Sequence, residues 1–167
     1  MGVPVFLGLG SNLGDREAAL EGALGRLEAR GFRVTRRSSL WLTEPVGGPP
    51  QGLFLNAVAE GETTLRPLQL LEACLAVERE MGRVRAERNG PRTIDVDVLF
   101  FGSERCSSPG LVIPHPRLHE RRFVLEPLAE IASGFVHPVL GLTVRELLES
   151  CKDSSSVRPH APAGAPL

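Results

Sequence analysis

The sequence has few cysteines, few aromatic residues and no long apolar run. Its 167 residues include only Cys74, Cys106 and Cys151 as cysteines, without the spacing of a metal site. An odd, sparse set of this kind predicts reduced thiols in a cytoplasmic protein. No stretch reaches the roughly 20 apolar residues of a membrane helix. The N-terminal apolar run stops at Gly8 with no basic segment before it, which predicts a first strand and not a signal peptide.

Net charge is also nearly absent, at −1 at pH 7. Without an excess of either sign, no overall field favours nucleic acid or a membrane surface, so we expect neither as a partner. The basic residues are almost all arginine, since Lys152 is the single lysine among 19 lysines and arginines. Arginine suits bidentate contact with phosphate, but GC-rich coding or adaptation to heat gives the same bias. Composition leaves these explanations open.

The periodicity of apolar residues predicts an α+β domain. Strands are expected over 3–9, 32–42, 53–60 and 94–101, and helices are expected after Asp15 and from Pro67. The resulting order β-α-β-β-α-β is that of a ferredoxin-like unit, in which helices pack on one face of a sheet.

The rest of the chain predicts a C-terminal extension and a tail. A short helix is expected over 123–131, and the capping box Thr143–Glu146 signals a last helix. From Asp153 the chain is rich in serine, proline and alanine, which predicts disorder. We therefore expect a single domain over residues 1–152 and a disordered tail over 153–167.

The second predicted helix carries a carboxylate on its apolar side. Its predicted apolar stripe consists of Leu71, Cys74, Leu75 and Met81. Glu78 follows Leu71 by seven residues, a spacing that places it on the same side of the helix. Glu78 therefore lies either at the wet end of the stripe or at a functional site.

Two aspartates interrupt the fourth predicted strand. Alternation places Asp95 and Asp97 on one face, about 6.5–7 Å apart along the strand. The other face carries Ile94, Val96 and Val98. Aspartate is depleted in strands, and two like charges on a half-buried face repel each other. A divalent cation would relieve both effects, and Mg²⁺ suits a site with few carboxylates. A solvated edge strand is the alternative explanation.

A basic loop directly before this strand favours the metal site. It contains Arg83, Arg85, Arg88 and Arg92. Guanidinium groups beside carboxylates form salt bridges, but they are also what a nucleoside triphosphate with its magnesium ions requires. Glycines at 82 and 90 would let the loop close over a ligand and exclude water. We therefore expect a magnesium-dependent enzyme that uses ATP.

With these residues assembled, the chain closely resembles the 6-hydroxymethyl-7,8-dihydropterin pyrophosphokinase family of folate biosynthesis. Matching segments occur in the family's order between residues 3 and 130. They are Gly10–Asp15, Thr43–Gly47, Phe54–Ala57, Gly82–Arg85, Gly90–Asp97, Pro114–Pro116 and Arg121–Phe123. The Gly-Pro-Arg-Thr-Ile-Asp-Val-Asp run of residues 90–97 is highly specific.

The resemblance implies transfer of pyrophosphate from ATP to the hydroxymethyl group of the dihydropterin, with AMP as the second product. Two Mg²⁺ ions would bridge Asp95, Asp97 and the ATP phosphates. The residues that it assigns to ATP are Glu78, Arg85, Arg88, Arg92, Val98, His115 and Arg121. The residues that it assigns to catalysis are Arg83, Arg92, Asp95 and Asp97. For His115, a structural role between two prolines is the alternative.

The resemblance also implies a pterin site at the third predicted strand. Phe54 and Asn56 share a strand face with Val58, so a ring stacked on Phe54 can present its polar edge to the Asn56 amide. The family pattern puts Phe123 on the other side of that ring. The expected pterin-binding residues are Thr43, Pro45, Val46, Phe54, Asn56, Asp95 and Phe123. For both phenylalanines, core packing is the alternative, and Trp41 is expected in the core.

Three positions depart from the family pattern and bear on how the nucleotide is held. Asn89 stands where some members have tryptophan, Gly110 where some have arginine, and Pro116 where some have tyrosine.

Two other functions stay open from the sequence. Another magnesium-dependent phosphoryl or nucleotidyl transferase would release ADP or free pyrophosphate instead of AMP. A non-catalytic module that binds a ligand or RNA would show exposed aromatic residues on its sheet if RNA were the ligand, whereas aromatic residues are few here. We expect a monomer with ATP and the pterin as its small-molecule partners.

Overall fold

The computed structural model describes residues 2–46, 51–82 and 93–160. The strands in this part of the chain are β1 (Val5–Ser11), β2 (Phe32–Arg37), β3 (Trp41–Thr43), β4 (Phe54–Thr63), β5 (Asp95–Phe101), β6 (Cys106–Ser108), β7 (Leu111–Ile113) and β8 (Val157–Pro159). The α-helices are α1 (Arg16–Ala29), α2 (Pro67–Glu80), α3 (Arg122–Ala132) and α4 (Val144–Ser150), and a 3₁₀ turn covers Leu118–Glu120.

The main sheet is antiparallel and follows the strand order β5-β1-β4-β3-β8, with β2 also paired to β4. β6 and β7 form a separate hairpin. When β2 and β3 are counted together as the second predicted strand, the order of the core strands becomes 4-1-3-2. This is the order of a ferredoxin-like unit, and it confirms the predicted α+β fold.

One face of the sheet and helices α1 and α2 enclose the larger core. Alternate residues of the central strand, Val5, Leu7 and Leu9, point into it and are buried. α1 begins where predicted, because the Asp15 carboxylate accepts a hydrogen bond from the Ala18 amide at 3.1 Å. Its buried residues are Ala19, Leu20, Ala23, Leu24 and Leu27.

The two helices of the ferredoxin-like unit, α1 and α2, pack on one face as predicted, and the other face is covered by α3 and α4. Phe6, Val58 and Leu99 point to this side and pack against Leu125 and Leu128 of α3. A sheet with apolar side chains on both faces needs a layer on each. The predicted C-terminal extension supplies that second layer, and the predicted capping box of α4 is present, with Thr143 accepting from the Glu146 amide at 3.1 Å.

The buried stripe of α2 is rotated from the predicted one. The residues buried there are Leu70, Ala73, Cys74, Val77 and Glu78. Leu70, Cys74 and Val77 of this set pack in the larger core. Leu71, Leu75 and Met81 flank the contact and are half-buried. Glu78 is therefore the last residue of the buried stripe, and it is shielded from solvent there, so the wet end that the sequence left open is not where it lies.

The second predicted strand is broken into β2 and β3 at Ser38. The Ser38 amide donates to the Val58 carbonyl at 2.8 Å, and the Ser38 hydroxyl accepts from the Val58 amide at 2.9 Å. One side chain thus replaces a ladder bond, and both pieces stay on β4. Trp41, expected in the core, is half-buried in β3, and its indole N–H donates to the Glu130 carboxylate at 2.9 Å.

The start of the tail is structured, contrary to the disorder expected from Asp153. Residues 157–159 form β8, which pairs with β3. The His160 amide donates to the Leu40 carbonyl at 2.9 Å. This segment is poor in apolar residues, but the contacts that hold it are made by main-chain groups, which every residue has whatever its side chain. Residues 161–167 lie outside the described part of the chain.

None of the helices in the described ranges combines the length and the apolar character that a membrane crossing requires.

Gly61 in β4 and Gly25 in α1 form a matched pair for testing the packing. A Cβ at Gly61 would lie 2.4 Å from the Arg33 carbonyl oxygen and 2.5 Å from Phe32 Cζ, whereas one at Gly25 meets nothing within 4 Å. We expect Gly61→Ala to lower the free energy of unfolding by about 1–3 kcal/mol. Gly25→Ala should raise it by about 0.4–1 kcal/mol. Urea denaturation measures both, and an unchanged midpoint for Gly61→Ala would contradict the packing described.

Candidate active site

Asp95 and Asp97 lie together on the face of β5 that looks toward α3. Both are half-buried, whereas Ile94, Val96 and Val98 on the other side are buried. The alternation predicted from the sequence is therefore present. The two carboxylates border a small cleft on the sheet, whose lining includes Gly8, Gly10, Asn56, Val58, Asp95, Asp97, Leu99 and Phe123.

Two glycines of β1 form the floor of this cleft. Gly10 pairs with Asp95 on one side and Asn56 on the other, and Gly8 pairs with Asp97 and Val58. A Cβ at Gly10 would lie 2.5 Å from Asn56 Oδ1, so a side chain there would occupy the space between the strands. Because the first strand was predicted to end at residue 9, this role of Gly10 was not predicted. The signal was a Gly-x-Gly alternation in a strand, which leaves one face bare.

Asn56 and Thr43 are joined across β3 and β4 inside the protein. Both are buried, and the Asn56 Nδ2 group donates to Thr43 Oγ1 at 2.6 Å. This bond fixes the orientation of the amide, so Oδ1 faces the space above Gly10. Phe54, on the same face of β4, comes within 3.5 Å of a Cβ built at Gly10. The two strands thus present an oriented amide and an aromatic ring side by side.

Phe123 forms the wall opposite these strands, at the start of α3. It lines the cleft and is half-buried. The Arg121 guanidinium lies 5.6 Å from the centre of its ring, a cation–π distance. Pro45 is half-buried and Val46 is 48% exposed. These two residues precede positions 47–50, which lie outside the described part, and they do not line the cleft.

Glu78 contacts β5, the strand of the two aspartates, from the side of α2. It is buried, and its Oε2 accepts a hydrogen bond from the Val96 amide at 2.8 Å, between the two aspartates in sequence. Next to it, burial, together with the negative charges of Glu78 and Asp97, raises the pKa of the Cys74 thiol to about 12. Cys74 is therefore an unreactive thiol, and Glu78 braces the strand that carries the aspartates.

His115 and Arg121 complete the charged side of the site. The His115 amide donates to the Leu99 carbonyl at 3.0 Å, at the irregularity where β5 has one residue more than β1. Burial, together with the charge of Arg121, lowers the pKa of His115 to about 4, against the opposing effect of Asp95. Burial also lowers the pKa of Arg121, while Asp97 and Asp95 raise it. His115 therefore interacts electrostatically with Asp95, and Arg121 interacts with both aspartates.

Some of the residues assigned from the sequence are not brought to the cleft. Val98 is buried in the larger core, so a nucleotide could contact only its main chain. Gly110 lies beside Leu71 of α2, and Pro116 is exposed. The predicted phosphate-binding residues Arg83, Arg85, Arg88 and Arg92, together with Asn89, lie outside the described residues, and their roles stay predictions.

The chain matches known pyrophosphokinases along most of its length. The family model of 7,8-dihydro-6-hydroxymethylpterin-pyrophosphokinase matches residues 6–133. The 2-amino-4-hydroxy-6-hydroxymethyldihydropteridine pyrophosphokinase of Methylorubrum extorquens is 48% identical over 154 residues, which cover 92% of this chain and 96% of that protein. The protein of the same name from Bacillus subtilis is 47% identical over 127 residues, covering 75% and 76%.

Longer proteins contain the same unit. The folic acid synthesis protein fol1 of Pneumocystis carinii is 40% identical over 158 residues, and this chain spans only 21% of its length. A crystal structure of HPPK-DHPS in complex with substrates superposes with a TM-score of 0.72 at 13% identity, covering 89% of this chain and 43% of that one. At this identity the superposition supports the fold alone. The match of the family model over most of the sequence, with the near full-length relatives, shows that the chain belongs to the 7,8-dihydro-6-hydroxymethylpterin-pyrophosphokinase family.

Proposed function

We propose that this chain transfers pyrophosphate from ATP to the 6-hydroxymethyl group of 7,8-dihydropterin, a step of folate biosynthesis. The hydroxymethyl oxygen bonds to the β-phosphorus and gives up its proton to water, the bond from that phosphorus to the bridging α-phosphate oxygen breaks, and AMP leaves with that oxygen. The observation that carries the proposal is one cleft that joins Asp95 and Asp97 to Asn56 and Phe123. Carboxylates for a metal-bound phosphate donor thus lie beside groups that fit a flat, polar-edged ring.

The aspartate pair fits magnesium by the chemistry of its donors. Both residues offer carboxylate oxygens on a half-buried face. Among the described residues, no group of three or more His, Cys, Asp or Glu side chains could hold a metal by itself. A cation at Asp95 and Asp97 would therefore complete its shell with water and phosphate oxygens, which is the habit of Mg²⁺. When bound, Mg²⁺ neutralises phosphate charge, and we propose two such ions.

The residues of the chain contribute binding and orientation. We propose that Asn56, held by Thr43, hydrogen-bonds the polar edge of the pterin and that Phe54 and Phe123 pack against its faces; the Asn56–Thr43 bond and the position of Phe123 in the cleft support this. Alignment of two bound substrates accounts for much of the acceleration of a reaction of this kind, so no covalent intermediate is required. We propose further that the protein is cytoplasmic and monomeric.

His115 is proposed to act as a neutral hydrogen-bond donor to the ATP phosphates, beside the permanent charge of Arg121. Its Nδ1 accepts a hydrogen bond from the Arg117 amide at 3.2 Å, which leaves the ring proton on Nε2. The arginine charges nearby favour this neutral form.

Asp97→Asn tests the proposed metal ligand with little change in shape. We expect kcat for AMP formation to fall about 100-fold or more, because a carboxylate that holds a cation on the phosphates is lost. Glu104→Gln, which changes an exposed carboxylate beyond the end of β5, is the matched control and should retain normal turnover. AMP is measured with saturating Mg²⁺. Normal turnover in Asp97→Asn, or ADP as the product of the wild type, would contradict the proposal.

Phe123→Ala tests the proposed ring stacking. Because one aromatic wall is removed, we expect the Kd of the pterin to rise about 10- to 100-fold, as for loss of a stacked base. Phe123→Trp keeps an aromatic face and should bind nearly as the wild type does. Calorimetry measures both. If Phe123→Ala keeps its pterin affinity and loses only stability, Phe123 is a packing residue.

The titration of His115 gives a third test. The pKa of this residue is about 4 in the folded chain and about 6.5 in an unfolded one. Between these pH values the unfolded state binds the extra proton, so stability should fall as the pH falls from about 6.5 to about 4, by up to about 3 kcal/mol. His115→Gln should remove this component. NMR titration of the imidazole measures the pKa directly, and a value near 6.5 would refute the neutral assignment.

A further inference from the structure

The C-terminal segment 151–160, here named the C-terminal strap, touches both walls of the cleft. It lies beyond residues 6–133, the part matched by the family model. One end of the strap contacts the start of α3, next to Phe123. The other end pairs with β3, which carries Thr43.

At the α3 wall, the strap is held by Asp153. The Asp153 Oδ2 atom accepts a hydrogen bond from the Arg122 amide at 3.0 Å, and the Asp153 carbonyl accepts from Arg122 Nε at 2.8 Å. Asp153 therefore caps the first residue of α3 and grips its side chain. Because Phe123 is the next residue, the capped backbone is the one that sets the position of its ring.

At the strand wall, the strap holds the segment around Thr43. Val157 pairs with Thr43 in the β8–β3 ladder. Just beyond the ladder, the Glu44 amide donates to the Ser156 carbonyl at 3.1 Å, and the Ser156 amide donates to Glu44 Oε1 at 2.9 Å. Thr43 in turn accepts from Asn56, so the strap is one contact removed from the proposed pterin amide.

The two attachments are close in sequence, which makes the tie short. Three residues separate Asp153 from Val157, so the two attachment points can be no more than about 14 Å apart. Asp153 also folds the intervening chain, because its Oδ1 accepts from the Ser155 amide at 2.9 Å. Beyond β8, His160 Nε2 lies 2.9 Å from a carboxylate oxygen of Glu17 in α1, which anchors the far end.

We infer that the C-terminal strap is a positioning element for the pterin pocket, which sets the separation between Phe123 and the Thr43–Asn56 wall. The inference rests on the proposed function. Main-chain and carboxylate contacts at both ends make the strap a spacer between α3 and β3. We expect it to act mainly on the acceptor substrate, because it is attached to both elements of the pterin pocket but to only one element that carries a proposed nucleotide contact, the start of α3 beside Arg121.

Asp153→Ala tests the strap in the full-length chain. We expect the KM and the Kd of the pterin to rise about three- to tenfold, the effect of losing one or two hydrogen bonds to a charged group. The KM of ATP should change less than that of the pterin. Asp153→Asn keeps an acceptor oxygen and should recover part of the loss. Glu44→Ala, at an exposed position on the opposite wall, should reproduce the pterin effect if Asp153→Ala fails to fold.

Arg158→Ala is the matched control, because it changes an exposed side chain of β8 and leaves the main-chain ladder in place. It should bind pterin as the wild type does. A lower melting temperature with unchanged pterin KM, or an equal rise in both KM values, would overturn the inference and leave the strap a stabilising element. Failure of the wild type to form AMP would instead refute the proposed function.

Discussion

The pairing of β1 between β5 and β4 is the constraint on which the site depends. Among the described strands, only β1 hydrogen-bonds both to β5, which carries the aspartates, and to β4, which carries Asn56. Its Gly8 and Gly10 have no side chains. The carboxylates of β5 and the amide of β4 therefore face one another across bare backbone. A side chain at Gly10 would meet the Asn56 oxygen at 2.5 Å. The register of one central strand thus brings the proposed metal ligands and the proposed pterin contacts into one cleft.

The two faces of the sheet differ in polarity. The face under α1 and α2 is apolar along β1, β4 and β5. Among the buried residues of α2, only Glu78 carries a carboxylate. The face under α3 and α4 is apolar at one end, around Phe6 and Phe100, and polar at the other. α3 serves both ends, because Leu125 and Leu128 pack in the core and Phe123 borders the cleft. The helix is thereby fixed by the core that it helps to form.

The parts of this arrangement that depend on local sequence patterns could be predicted from the sequence. The alternation of β5, the cap at Asp15 and the capping box at Thr143 were all predicted, because each depends on neighbouring residues. The second helical layer, the break at Ser38 and the pairing of β8 were not, since each depends on contacts between distant segments. The same limit applies to the site. Asp95 and Asp97 were evident from the strand pattern, whereas the role of Gly8 and Gly10 appears only when three strands are placed side by side.

The pairing of β8 also determines how the sheet ends. Without residues 157–159, the outer edge of β3 would present free main-chain donors and acceptors, which invite another chain to add a strand. β8 covers that edge but offers a poor template itself, because it has three residues, ends in Pro159 and exposes the charge of Arg158. A segment whose composition resembles a disordered tail therefore covers an edge of the sheet that would otherwise be open to strand addition.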